Sequence, residues 1–158
     1  MWVSMAKIKI GDIVEIVTKN GFSYAQYTHK NPSFGALLRV FGENFSDRPQ
    51  KFDDIVNVRP VFMTFFPLGT AIHRGIFSVV ANVDVPAHAL PFPTFRAGIP
   101  NPATGKVDVW WLWDGETEWP VGKLTEEQRS LSLRGIWNDT FLVERIESGW
   151  TPETDPWT

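Results

Sequence analysis

Six of the eight tryptophans fall between Asp108 and Trp150, and four of those six are packed into the short run VWWLWDGETEWP. Tryptophan is costly to leave in water and is enriched where proteins recognise other molecules. A chain built this way wraps its core around that segment, presents part of it to a partner, or does both. The same stretch holds most of the acid. Residues 1–107 carry 11 Lys/Arg against 7 Asp/Glu, and residues 108–158 carry 4 against 11. Such a tilt steers a basic partner toward one face when the acids gather in space, and cancels when the two halves interleave. The clustered basic stripe that a nucleic-acid binder needs is absent from the sequence.

The 158 residues fit a single domain able to bury a real core, with residues 1–7 as an N-terminal extension and 151–158 as an acidic, Pro-rich tail. At 43% apolar and 14% aromatic, the composition is not that of a disordered chain. Disulfides and thiolate metal sites are excluded, because the sequence has no cysteine. The opening MWVSMAKIKIGD lacks the apolar stretch and cleavage site of a secretory signal. Uncharged runs such as Val61 to Ile72 are too short to span a bilayer. These features predict a cytoplasmic protein that does not enter a membrane.

The first third reads as strands. Apolar Ile8, Ile10, Ile13, Val14 and Ile16 lead to Lys19-Asn20-Gly21, a strong hairpin signal. Phe22 to His29 alternates as a half-buried strand does, and Ala36 to Phe41 gives a third strand after the turn at Asn31-Pro32-Ser33. A Gly-Asp step followed by an aromatic hairpin resembles the opening of a small SH3-like barrel. Residues 42–60 read as a loop, Val61 to Phe66 as a central strand, Pro67 to Gly75 as one helical turn, and Ile76 to Val85 as a further strand. Five prolines in 86–106 predict an irregular surface loop. Val107 to Trp113 and Glu116 to Val121 form a hairpin around Asp114-Gly115. Thr125 to Gln128 matches a capping box and predicts a short helix to Leu131. Leu133 to Trp137 suits a last short strand, and a helix capped at Asn138 or Asp139 runs through Ser148 to a stop at Gly149. The expected fold is α+β: a mainly antiparallel, strongly twisted or barrel-like sheet with one or two short helices near the C-terminus.

Catalytic signatures are missing. His29, His73 and His88 lie on three different elements, and no metalloprotease, nucleophile-elbow or phosphate-loop motif occurs. The sequence therefore nominates no catalytic residue, no metal and no cofactor. Asp114, Glu116 and Glu118 at alternate positions share one strand face. That set suits acid/base work on a sugar, or simply a solvated turn guarding a sheet edge. Arg74, after an apolar run, suits pairing with these acids or capping a helix end. In VDVWWLWD, Val109, Trp111 and Trp113 share one face while Trp110 and Leu112 share the other. Apolar faces on both sides predict a strand covered twice, partly by the C-terminal helix. An interface anchor and a sugar-stacking platform are the alternatives.

Seven stretches, IKIGDIVEI (8–16), YAQYTHK (24–30), FGALLRVF (34–41), TFFPLGTAIHRGIF (64–77), LWDGETEW (112–119), LTEEQRSLSLRGIWNDT (124–140) and LVERIESGW (142–150), together resemble the twenty-sixth immunity-protein family of bacterial polymorphic toxin systems. The resemblance implies a non-catalytic cytoplasmic protein that binds and neutralises a cognate toxin. It transfers no functional residues. From the residues themselves, the expected contact surface is the hairpin tip: Trp113, Asp114, Glu116, Glu118 and Trp119. Trp119 anchors there, and the carboxylates steer and pair with basic groups on the toxin. The rival readings are a small-ligand or carbohydrate-binding module using the Trp face, and an enzyme of unrecognised class. Oligomeric state stays open.

Overall fold

A two-residue turn sets the frame. In the computed structural model, which describes residues 7–158, strands β1 (Asp12–Thr18) and β2 (Gly21–Asn31) pair antiparallel with Thr18 opposite Gly21. Gly21 has φ +112°, and a Cβ there would lie 2.5 Å from the Phe45 carbonyl oxygen. Glycine is thus required twice over, by conformation and by space. The expected N-terminal extension lies outside the described residues except for Lys7, as does Trp2.

Strands β3 (Gly35–Val40), β4 (Phe62–Phe66) and β5 (Ser78–Asn82) complete an antiparallel sheet in the order β4-β3-β2-β1-β5. Strands β6 (Phe95–Ala97), β7 (Trp110–Trp113) and β8 (Glu118–Gly122) form a second antiparallel sheet. The α+β architecture is therefore as the pattern indicates, but neither sheet closes into a barrel, and β4 and β5 are separate edges. Strand β6 was not legible because it is only three residues long and lies between Pro93 and Pro100 in the proline-rich stretch.

Alternation gives the large sheet two different faces. One carries Val14, Ile16, Ala25, Tyr27, Leu38, Val40, Phe62 and Phe66 into a single continuous core. Helices α2 (Leu68–His73) and α3 (Asp139–Ser148) supply Leu68, Ala71 and Leu142 to it. The other face is split. Ile13, Tyr24 and Phe41 pack under Phe52 and Val56 at helix α1 (Asp53–Asn57), while Leu37 and Phe65 pack under Phe95 and Trp113 of the small sheet. Between the two covers runs a cross-strand row of Gln26, Arg39 and Met63.

Strand β4, expected to be central, is an edge, and its exposed backbone is satisfied by the segment 132–137. Phe65 N–H donates to Gly135 O at 3.3 Å and Trp137 N–H to Phe65 O at 3.1 Å. On its other side the same segment meets β6: Arg96 N–H donates to Ser132 O at 3.0 Å and Arg134 N–H to Arg96 O at 2.9 Å. The expected last strand is thus a connector that saturates two sheet edges through isolated bridges.

The C-terminal elements follow local chemistry. Thr125 and Gln128 exchange the two bonds of a capping box, at 2.9 and 3.2 Å, but the turn they start is 3-10 and spans Glu127–Ser130. Asn138 caps α3 by accepting from Phe141 N–H at 2.8 Å, and Gly149 ends it at φ +69°. The acidic tail is bound to the body. Arg96, fully buried, donates to Leu131 O at 3.0 Å, to Thr158 Oγ1 at 2.8 Å and to Pro152 O, with its guanidinium 4.8 Å from the Trp110 ring. Among the described residues, no helix is long and apolar enough to cross a membrane.

Candidate functional site

The hairpin tip is set by one carboxylate. Asp114 Oδ1 accepts the backbone N–H groups of Glu116 and Thr117 at 3.0 and 2.9 Å, closing the turn from β7 to β8. Those amides, Thr117 first and Glu116 second, hold the Asp114 carboxyl below its ordinary pKa. That direction keeps it ionised and is the wrong one for a general acid near neutral pH. Gly115, at φ +100°, lies against Phe92, whose ring would be 2.8 Å from a Cβ.

The five residues that the sequence nominates separate here. Asp114, Glu116, Glu118 and Trp119 are exposed. Trp113 is not: at 7% exposure it belongs to the cluster of Leu37, Phe65 and Phe95, with Phe34 and Phe92 against it. Trp113 therefore offers no contact surface, because the large sheet already uses its ring. Glu118 is partly engaged, accepting from Arg134 Nη1 at 2.8 Å. Arg134 in turn stands 5.4 Å from the Trp113 ring and 5.9 Å from that of Phe34. The pair closes the rim of the shared core.

Cross-strand register decides which face each tryptophan takes. Trp111 lies opposite Pro120 on β8 and Ala97 on β6, whereas Trp119 lies opposite Leu112. Directly paired residues share a face, and successive pairs alternate. Trp111 and Trp119 therefore occupy opposite faces of the small sheet. On the Trp111 face, the core reaches only as far as Trp113. Beyond it Trp111, Val109 and Ile99 stand 38%, 51% and 88% exposed. This shelf was missed in sequence because alternation gives the face of each residue but not how far the covering layer extends. The expectation that the C-terminal helix covers the strand is corrected as well: Trp110 is covered by Arg96 and the Trp113 face by Phe34, Phe65 and Phe92, while α3 packs at β1.

Strand β8 is the free edge of the small sheet. Residues 108–122 carry four carboxylates and no Lys or Arg. The arrangement suits contact with a cationic surface rather than paired acid/base chemistry. The remaining candidates disperse. His73 is exposed at the end of α2, while His29 and His88 border a cleft over the large sheet. Arg74 caps α2 through its own N–H, which donates to Thr70 O at 2.9 Å. Among the described residues, no three metal-binding side chains gather. Comparison with protein-family models, curated proteins and solved structures gives no match.

Proposed function

We propose that this protein is a non-catalytic immunity protein, which binds and neutralises a cognate toxin in the cytoplasm by setting the small sheet against a basic surface of that toxin. The observation that carries this reading is the free β8 edge, with exposed Trp119 on it, exposed Trp111 on the opposite face of the neighbouring β7, and the carboxylates of Asp114, Glu116 and Glu118 in and just after the turn that leads into it. Half-exposed tryptophans supply large contact areas at low entropic cost, and solvated carboxylates set on-rate and orientation. The family resemblance supplies the class of partner. A sugar-stacking platform is disfavoured, because rings on opposite faces of a sheet cannot hold one sugar between them or side by side.

Co-expression with candidate toxin domains from genes adjacent to this one tests the proposal. Rescue of host growth together with a stable one-to-one complex supports it. Continued killing by an active toxin, with this chain folded and no complex recovered, overturns it.

A further inference from the structure

We infer that the cleft between the two covers of the large sheet binds a small organic oxyanion, with its charged group at Arg39 and its apolar body against Met63 and Phe92. The cleft is open to solvent and holds about 630 Å³, within the usual range for small-molecule sites. It opens where the second face of the sheet is divided. Along β3 and into the residue that follows it, Leu37 faces one apolar cluster and Phe41 the other, and the position between them on the same face is Arg39. Alternation alone calls for an apolar side chain there.

Arg39 is only 4% exposed. It donates from Nη1 to Val56 O at 3.1 Å and from Nη2 to Val58 O at 3.3 Å. A guanidinium has five N–H groups in a fork that matches an oxyanion, and two are used here. No carboxylate lines the cleft, whereas His88 and Arg59 do, the latter with Glu153 Oε1 at 3.9 Å. Arg96, the other deeply buried arginine, is the useful contrast. Its three nitrogens all have acceptors, and Asp155 and Glu153 offset its burial. Arg39 has burial against it and no acid to offset it. Two carbonyls and the Phe41 ring, 5.4 Å from the guanidinium, stand against that burial, and a bound anion supplies the counter-charge they lack.

The walls are held in place. His29 Nε2 lies 2.7 Å from Leu90 O, an atom that only accepts, so Nε2 carries the proton; Nδ1 meets Thr28 Oγ1 at 2.8 Å. The ring also stands edge-on to Phe92 at 5.4 Å. His29 therefore pins the proline-rich loop to β2 and positions the apolar wall.

Calorimetric titration of the full chain with phenyl phosphate and with phenylacetate, using phenol as the uncharged control, tests the site. The expected result is saturable one-to-one binding of at least one anion, with phenol at least about tenfold weaker. The tighter anion identifies the site as one for phosphate or carboxylate. Arg39→Met should abolish binding. Because that variant alters the interior, the double variant Arg59→Gln/His88→Gln, at exposed positions, is the second arm and should weaken binding about tenfold while melting as the wild type does. Glu116→Lys/Glu118→Lys should leave anion binding unchanged, which separates this site from the toxin surface. Absence of binding, equal binding of phenol, or indifference to the Arg59/His88 change overturns the inference.

Discussion

Around Trp137 and Trp150 the aromatic rings close over a charge, whereas around Trp111 and Trp119 they stand open beside several. At the first end of this comparison the Arg145 guanidinium lies 5.2, 4.4 and 4.0 Å from the ring centroids of Trp137, Phe141 and Trp150. Its acid partner, Asp155, is 5% exposed and accepts from Arg145 at 3.4 Å, from Trp150 Nε1 at 3.2 Å and from Trp157 N–H at 2.9 Å. Every charge there has a partner inside the molecule. At the other end Glu116 is exposed, and the one inter-residue ion pair at the tip, between Glu118 and Arg134, is itself on the surface. Two regions that both combine tryptophan with acid thus have different uses. Acids and tryptophans that satisfy each other hold the fold, and those left facing solvent are available to something else.

The largest expected effect separates Trp113 from the open end. Placed in the core, Trp113→Ala should cost about 4 kcal/mol by urea unfolding, the usual scale for deleting a buried large aromatic. A loss below about 1 kcal/mol, the scale of ordinary surface changes, would return this ring to the contact surface. Arg96 links the two ends, since it joins β6 to the C-terminal tail. Arg96→Leu strands the carbonyls of Leu131 and Pro152 and should cost about 3 kcal/mol, read in the same way. At the closed end, Arg145→Ala leaves Asp155 with two donors and uncovers three rings, for an expected loss of about 2 kcal/mol. A melting temperature unchanged from wild type would show that the closed cage is ornamental.

A group outside both ends provides a pH reference. Glu15, buried on β1, accepts from Arg48 at 2.7 and 3.0 Å and from the Tyr24 hydroxyl at 2.9 Å. The Arg48 contact, ahead of burial, which opposes it, holds the Glu15 carboxyl below its ordinary value; burial and the neighbouring carboxylate push Tyr24 up. With the folded pKa depressed, the unfolded chain binds the proton more readily, so the contribution of Glu15 is present above the ordinary glutamate range near about pH 4. It is lost as pH falls through the folded pKa. Glu15→Gln should therefore lower stability at pH 7 and flatten the acid limb of the stability curve. An acid limb that keeps its full slope in the variant would show that other carboxylates carry it.

Several of these assignments were readable in the sequence for local reasons. The Asn20-Gly21 hairpin, the Thr125 to Gln128 box and the Asn138 and Gly149 caps each depend on a few adjacent residues, and each is found where expected. What sequence did not show depends on which layers meet. Trp113 and Trp111 have the same residue type, strand and face, and differ only because Phe34, Phe65 and Phe92 reach one and not the other. Helix α1 and strand β6, five and three residues long, carry too little period to recognise. Arg39 carries no signal of its own within the strand read over Ala36 to Phe41, and only the splitting of the second face into two clusters makes its burial visible.

The smallest expected effect on folding belongs to the residues expected to matter most for function. Reversing Glu116 and Glu118 together to Lys should shift stability by no more than about 0.5 kcal/mol, as exposed positions do. The direct test of the proposed function is the affinity of a toxin domain that this chain neutralises in co-expression, for the wild-type chain and for this double variant, measured by calorimetry at moderate salt. The account predicts a one-to-one complex that the reversal weakens by at least about tenfold, in a protein that melts unchanged. A complex of undiminished affinity in the reversed variant would contradict it.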